Sequence, residues 1–350
     1  DGDFGPATRT ALERFQREQS LEQTGIVNDA TWQALGTLIE QDDPVPPPAV
    51  VNAESLPRSP QHDPSAPPVV TCKAWAIADE AGNIVYESNS STPLEAASTT
   101  KIMTAYLVVR LADSKPAILE ERIQFSERAD QTVGSTAGVR AGESLSVEEA
   151  LYGLLLPSGN DASVALAEHF GSRLGGVAEH APADGKFDAK ASYQHFVEAM
   201  NEAAKELDMN VARYKNTHGL PNKQHVISAA DLARLSHAAW QYDLFRTICG
   251  TRQRGCTLSG KSGYKRNVVW KNTNRLLQIE GFQGVKTGTT SAAGACLVGR
   301  GERDGDALTV VILGSSSSAA RYADIRNLFH WAWEKRATVP TAAANKDRIR

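Results

Sequence analysis

Long apolar runs are missing from this 350-residue chain. The best of them, Leu154–Leu156 and Val310–Leu313, fall far below the ~20 apolar residues that a spanning helix needs, which excludes a transmembrane segment from this stretch of chain. An excess of basic charge is missing too. Lys and Arg number 37 against 41 Asp and Glu, a net charge of −4. With an isoelectric point of 6.1, the chain has none of the cationic character that neutralises phosphates, so nucleic acid is not an expected partner. Metal-ligand spacing is also absent. The eight histidines form no H-E-x-x-H, and His218 and His225 stand seven apart with no cysteine close by; this disfavours a zinc peptidase, and no metal or other cofactor is expected.

Cysteine is sparse. Cys249 and Cys256 enclose six residues rich in Arg and Gly, a spacing that suits a local disulfide, while Cys72 and Cys296 fall in β-rich runs and suit either pairing or buried thiols. Four cysteines allow three connectivities, and the sequence does not choose among them. Apolar residues are plentiful enough for a proper core: counting Gly in place of Tyr brings the 41% hydrophobic fraction to about 47%, within the globular range. Proline is unevenly spread, with 9 of 16 between Asp42 and Val70. Each lacks a backbone N–H and fixes φ, so residues 42–70 read as an extended, semi-rigid linker between two functions.

Before the linker, residues 1–41 repeat themselves at an offset of 23. Gly2 to Leu12 and Gly25 to Leu35 share five identical positions, each copy reading as a Gly turn followed by a helix begun by Pro6 or capped by Asn28 or Asp29. Ala7, Ala11 and Phe15, with Leu12 beside them, form the expected apolar face. The phrase Asp1-Gly2-Asp3-Phe4-Gly5-Pro6-Ala7-Thr8 resembles the opening of the small helical peptidoglycan-binding domain appended to many cell-wall hydrolases. The chain starts inside the first copy, so this small all-α domain is expected to be cut short at its N-terminus. A generic two-helix packing module is the plainer alternative.

After the linker, Cys72–Asp79 and Asn83–Ser88 read as a hairpin around Glu80-Ala81-Gly82, and Ser98–Leu111 as a strongly apolar helix. Helices are expected around Val147–Leu155, Asp161–Phe170, Tyr193–Leu207 and Ala229–Trp240. Strands follow at Val268–Trp270, Gly284–Gly288, Ala295–Gly299 and Leu308–Leu313, then a last helix, Ala319–Lys335. This order predicts an α+β domain over residues 71–337, an antiparallel sheet flanked by helices, with a tail at 338–350. Residues 171–191 read as a surface insertion. Trp75, Trp240 and Trp270 are expected to fill core.

Three short motifs carry the chemistry. Ser98-Thr99-Thr100-Lys101 is a Ser-x-x-Lys, whose spacing puts an amine against a hydroxyl on one helical face; a serine needs such a base, and a lysine serves only if its pKa is depressed. Ser262-Gly263-Tyr264-Lys265 also fits, but Gly263 and the strand after it read as a turn. Ser158-Gly159-Asn160 is the chain's only Ser-x-Asn and Lys286-Thr287-Gly288 its only Lys-Thr-Gly. Their order is that of the penicillin-interacting serine enzymes. With Asn216-Thr217-His218-Gly219-Leu220 and Asn272-Thr273-Asn274 alongside, residues 71–337 resemble the low-molecular-weight penicillin-binding proteins, serine-type D-alanyl-D-alanine carboxypeptidases of the serine β-lactamase/transpeptidase-like fold.

The resemblance implies roles. Ser98 attacks the carbonyl between the last two D-alanines and forms an acyl-enzyme. Lys101 is the base, kept neutral by the field of Lys286, and Ser158 relays a proton to the leaving amine. Asn160 holds the substrate backbone; Lys286, Thr287, Gly288 and Thr289 bind the terminal carboxylate, and the N–H groups of Ser98 and Thr289 make the oxyanion hole. Family members often carry histidine at the position of Thr289. Peptidoglycan stem peptides are then the substrate, β-lactams covalent inhibitors, and the cell envelope outside the cytoplasm the place of action, with a signal peptide lost by processing. Three alternatives stand beside this one: a D,D-endopeptidase using the same groups, a wall-binding or penicillin-sensing protein with a vestigial site, and a serine β-lactamase. A class A lactamase carries Glu-x-x-Leu-Asn between the second and third motifs; here Glu198 and Glu202 flank Asn201 in an amphipathic pattern instead.

Overall fold

A computed structural model describes residues 6–28, 30–31, 34, 66–174, 188–260 and 263–337. The chain divides into two units, Asp1–Pro47 and Pro48–Arg350. The proline-rich segment up to residue 65, Ser262, most of the insertion read at 171–191 and the tail lie outside the described residues.

In the first unit, α1 (Pro6–Glu18) begins on a proline whose missing N–H suits the first turn. Its buried face differs from the expected one. Leu12 and Gln16 are buried and Phe15 is half-buried, while Ala11 is exposed. Gln16 organises the turn that follows: its amide donates to Ile26 O at 2.8 Å and to Thr24 and Thr31 Oγ1 at 3.1 Å, and it accepts from Gly25 N at 3.0 Å. The physical reason is polar: a reversing chain leaves backbone groups that one buried amide satisfies and an alanine face does not. Asn28 caps the next turn by accepting from Thr31 N at 2.9 Å.

The second unit opens with strands β1 (Ala74–Ala78) and β2 (Ile84–Ser88), followed by α2 (Lys101–Ser114), β3 (Arg122–Gln124), α3 (Glu127–Asp130), β4 (Ser144–Ser146) and α4 (Val147–Leu155). Helices α5 (Asn160–Phe170), α6 (Ala189–Glu206), α7 (Ala229–Trp240) and α8 (Asp243–Gly250) continue the helical block. Strands β5 (Gln253–Ser259), β6 (Lys265–Lys271), β7 (Phe282–Thr290), β8 (Gly294–Arg303) and β9 (Asp306–Ser315) lead to α9 (Ala320–Ala337).

Period-2 alternation in the central strands feeds two cores at once. Ala74, Ala76, Val298, Val311 and Leu313 face the helical block, whereas Trp75, Ile77, Leu297, Val310 and Ile312 face α9 through Ile325, Leu328 and Phe329. Helix α2 is buried on nearly every side, 10 of its 14 residues being inaccessible, as an all-round apolar helix must be. It anchors the interior from which Ser98-Thr99-Thr100-Lys101 projects.

One sheet was expected, and two are found. The five-stranded sheet runs β2-β1-β9-β8-β7 and the second β3-β4-β5-β6. Of the second only β6 is anticipated, by Val268–Trp270; the others escape sequence reading because β3 and β4 are three residues each, and β5, which contains Gly255, lacks a β-branched run. A polar link braces it: Arg266 of β6 holds buried Glu143 through Nε at 2.7 Å and Nη2 at 2.6 Å. Trp75 and Trp270 are buried as expected, while Trp240 is only half-buried.

The local disulfide does not form. All four cysteines are free, because the two side chains serve different neighbours: Cys249, at the end of α8, packs against Gly284 of β7, whereas Cys256, on β5, lies beside Glu149. Burial pushes the Cys256 thiol up to about 12.

The segment just before β1 meets α9. Thr71 donates from N and Oγ1 to the buried carboxylate of Asp324 on α9, at 2.9 and 2.7 Å. Ser315 at the end of β9 donates to the same group at 2.7 Å.

Candidate active site

Ser98 stands on a 3-10 turn, Ala97–Thr100, that runs directly into α2, rather than on the α-helix itself. In a 3-10 turn the side chains at i and i+3 eclipse, and Lys101 Nζ lies 2.9 Å from Ser98 Oγ. The turn is wedged between two glycine-bearing segments. At Gly219, φ is +87° and a Cβ would stand 1.8 Å from Ala97 O; at Gly288 of β7 a Cβ would stand 2.7 Å from Ser98 N. Only glycine admits either approach.

The Lys101 amine is fully buried. Burial, then the nearby charge of Lys286, holds its pKa well below the ordinary lysine value, against the opposing pull of Asp161. Its partners settle where the hydrogens point. Asn160 Oδ1 lies at 2.7 Å and the His218 carbonyl at 3.0 Å. The Asn160 orientation is fixed because its Nδ2 donates to Val133 O at 2.6 Å. Both neighbours of the amine are therefore pure acceptors. A neutral amine gives its two hydrogens to them and turns its lone pair to the Ser98 hydroxyl.

Ser158 sits in the bend between α4 and α5 with φ +69°, a strained value for a residue with a side chain. It is 4% exposed, and among the described residues its hydroxyl has no hydrogen-bond partner. Asn160, expected to hold substrate, has both ends of its amide occupied within the protein, by Lys101 and by Val133.

On β7, Lys286 is buried and donates to Thr287 O at 3.1 Å. Burial lowers its pKa to about 7, Arg321 pushing the same way and Cys249 against. The Thr287 hydroxyl pairs with Thr273 Oγ1 at 2.8 Å, and Thr289 is exposed. Ser98, Lys101, Ser158, Asn160 and Lys286 through Thr289 are thus carried by the 3-10 turn and the first residue of α2, the α4–α5 bend with the start of α5, and β7.

Two residues of this constellation escape sequence reading. Asp161, buried, accepts from Ala137 N and Thr136 Oγ1 at 2.8 and 2.7 Å and from Val139 N at 3.2 Å, fixing the loop that carries Val133. Arg321, on α9, donates from Nη1 to Thr289 Oγ1 at 2.9 Å and to Gly288 O at 3.2 Å. It brings a cation to the open end of β7. Among the described residues no cluster of three His, Cys, Asp or Glu is placed to hold a metal, and no helix is long and apolar enough to cross a membrane. Asn201, between Glu198 and Glu202, is spent on the backbone of Tyr214 and Val197.

Residues 61–178 and 188–317 match the family described as D-alanyl-D-alanine carboxypeptidase. The chain belongs to that family. This makes it a serine peptidase, a hydrolase with the penicillin-binding transpeptidase fold. Residues 1–35 match the family described as a peptidoglycan binding domain. Among relatives of this carboxypeptidase-family chain, D-alanyl-D-alanine carboxypeptidase DacF of Bacillus subtilis is 31% identical over 274 residues, covering 78% of this chain and 64% of that one. A D-alanyl-D-alanine endopeptidase of Escherichia coli is 27% identical, covering 80% and 82%. The solved DD-transpeptidase of Streptomyces K15 superposes with a TM-score of 0.69 at 29% identity, over 77% of this chain and 99% of that one.

Proposed function

We propose that this chain removes the terminal D-alanine from peptidoglycan stem peptides through an acyl-enzyme on Ser98. The observation that carries the reading is the buried Lys101 amine, 2.9 Å from Ser98 Oγ with Asn160 Oδ1 and the His218 carbonyl as its other neighbours, an arrangement in which the neutral amine has its lone pair free for the Ser98 proton. Ser98 Oγ attacks the carbonyl between the last two D-alanines, and its proton passes to Lys101 Nζ. The oxyanion is held by the N–H groups of Ser98 and Thr289. As the tetrahedral centre collapses, the C–N bond breaks and the proton reaches the leaving amine through the Ser158 hydroxyl, releasing D-alanine. Water then attacks the ester and gives its proton to Lys101, which passes it to Ser98 Oγ as the acyl C–O bond breaks and the shortened peptide leaves. Thr287, Thr289, Lys286 and Arg321 receive the terminal carboxylate, while Asn160 is the positioning residue for Lys101.

A β-lactam offers the same acyl carbonyl and is a covalent inhibitor on this reading. The substrate puts the enzyme in the cell envelope, outside the cytoplasm. Residues 1–41 hold it on the wall, and residues 42–70 act as a tether that raises the local concentration of cleavable peptide.

The test is a soluble pentapeptide ending in D-Ala-D-Ala. One equivalent of D-alanine is expected per peptide, labelled penicillin is expected on the tryptic peptide containing Ser98, and Ser98→Ala loses both. A label elsewhere, or none, sinks the assignment. The endopeptidase relative motivates a second arm with a cross-linked dimer; cleavage of the dimer in preference to the pentapeptide makes the chain an endopeptidase using the same groups.

A further inference from the structure

Asn272, Thr273 and Asn274 link the end of β6 to the 3-10 turn Arg275–Gln278 that precedes β7. The two asparagines spend their side chains on backbone. Asn272 Nδ2 donates to the carbonyls of Cys249 and Thr251 at 3.2 and 3.0 Å, its Oδ1 accepts from Asn274 N at 3.0 Å, and Asn274 Oδ1 accepts from Leu276 N at 3.1 Å. Thr273, between them, is different. It is exposed, and its hydroxyl lies 2.8 Å from that of buried Thr287. Among the described residues the Thr287 hydroxyl has no other hydrogen-bond partner.

The backbone of Thr273 is held from two further directions. Its N–H donates at 3.1 Å to the carbonyl of Leu156, two residues before Ser158, and its own carbonyl accepts from Tyr322 Oη at 3.1 Å. That tyrosine follows Arg321 on α9, and its oxygen accepts in turn from Arg275 N at 3.2 Å. A short side chain on a backbone clamped in this way has little freedom left to lose, so the Thr273 hydroxyl is in place before any ligand arrives.

In the free enzyme either hydroxyl of the Thr273–Thr287 pair can donate. Once Thr287 must give its single proton to a carboxylate, one direction remains: Thr273 donates and Thr287 Oγ1 accepts. Thr289, two residues on and on the same side of the strand, is arranged alike. Its oxygen accepts from Arg321 Nη1 at 2.9 Å, which leaves its proton for a ligand. A hydroxyl that already accepts a hydrogen bond is polarised into a better donor.

We propose that Thr273 is a positioning residue for the substrate carboxylate, its hydroxyl donating to Thr287 Oγ1 and committing the Thr287 proton to the anion. This role rests on β7 being the carboxylate-binding strand. Thr273 does for Thr287 what Arg321 does for Thr289, and Tyr322 ties the two helpers together. Without the Thr273 hydroxyl, Thr287 is free to turn its proton away, and substrates that carry the carboxylate suffer while those that lack it do not.

The experiment compares two thioesters of the same N-acylated D-alanine. One is made with thioglycolate, which keeps a carboxylate where the last D-alanine has it; the other is made with ethanethiol, which has none. Thiol release gives kcat/KM for each, and the parent enzyme is expected to favour the thioglycolate ester. Thr273→Val keeps the shape and loses the hydroxyl, and is expected to lower the ratio of the two kcat/KM values about tenfold. Thr273→Ser keeps the hydroxyl and is expected to restore the parent ratio. A ratio that Thr273→Val does not move, whether both rates hold or both fall together, overturns the role, as does a ratio that Thr273→Ser lowers equally far. A parent that cleaves neither ester, or favours neither, fails earlier: the carboxylate reading of β7 is then lost, and the role of Thr273 with it.

Discussion

Lys286 keeps its charge below about pH 7 and loses it above. While charged, it depresses the Lys101 pKa and, on the proposed mechanism, attracts the substrate carboxylate; once neutral, it does neither. The ratio kcat/KM for a D-Ala-D-Ala peptide, which reports the free enzyme, is therefore expected to fall as pH rises through about 7. Lys286→Ala should lower it at all pH values and remove that alkaline limb; a limb that persists in the variant belongs to another group. His225 gives a second, independent prediction. Its Nδ1 accepts from Lys215 N at 3.2 Å, so Nε2 carries the proton and donates to Thr100 Oγ1 at 3.0 Å. Burial lowers its pKa to about 4. The unfolded chain takes up a proton near pH 6.5 that the native state refuses, so the stability His225 contributes is complete above about 6.5 and is lost as pH falls towards 4. The gap is worth on the order of 3 kcal/mol. Urea midpoints at pH 7 and 4.5 contain it together with the same-sign contribution of buried His218, whose pKa is lowered to about 3, and His225→Gln, keeping a donor and an acceptor, should reduce the dependence without abolishing it.

At this scale the sequence declares some residues and hides others. Ser98 and Lys101, or Lys286 to Gly288, sit within four residues of one another and form patterns readable in one dimension. Asp161 shows no sign of its work, because the groups it fastens lie more than twenty residues upstream. Arg321 reaches Thr289 across 32 residues from a helix whose only visible duty is to cover the sheet.

Among the elements, β7 and the 3-10 turn form the narrowest joint. A methyl at 288 would meet Ser98 N, Ala96 O and Thr99 N at 2.7 to 3.0 Å, all of them backbone atoms that cannot rotate away. Gly288→Ala must therefore push the strand off the turn. A shift of about 1 Å at a reacting centre costs about 100-fold in rate, and the rate of covalent penicillin labelling is expected to fall by that order with the fold retained. Labelling at the parent rate would show that the tight approach is dispensable. The Lys-Thr-Gly triplet is legible in sequence as a motif, but the reason for its glycine appears only when Ser98 is seen against it. The central strands were legible because β8 and β9 are buried along almost their whole length and read as apolar runs. Of the second sheet only β6 was legible, through Val268–Trp270; β3 and β4 are three residues each, and the sheet is braced by partners such as Glu143 and Arg266, 123 residues apart, rather than by local pattern.

For the molecule as a whole, the division at Pro47 and Pro48 carries the last prediction. Deleting residues 1–47 is expected to lower co-sedimentation with insoluble peptidoglycan about tenfold while soluble-peptide turnover stays within about twofold, since linked modules act through effective concentration. Unchanged sedimentation would remove the wall-binding role from the first unit. The clasp of Thr71 on Asp324 bears on endurance. Chains ordinarily begin to fray, and to be clipped by proteases, at their ends. Here the first strand, β1, is already flanked by β2 and β9, and the residues just before it are tied to the final helix. Within residues 71–337, β1 cannot leave its place without opening the middle of the sheet, so release of this clasp is tied to the unfolding of that core.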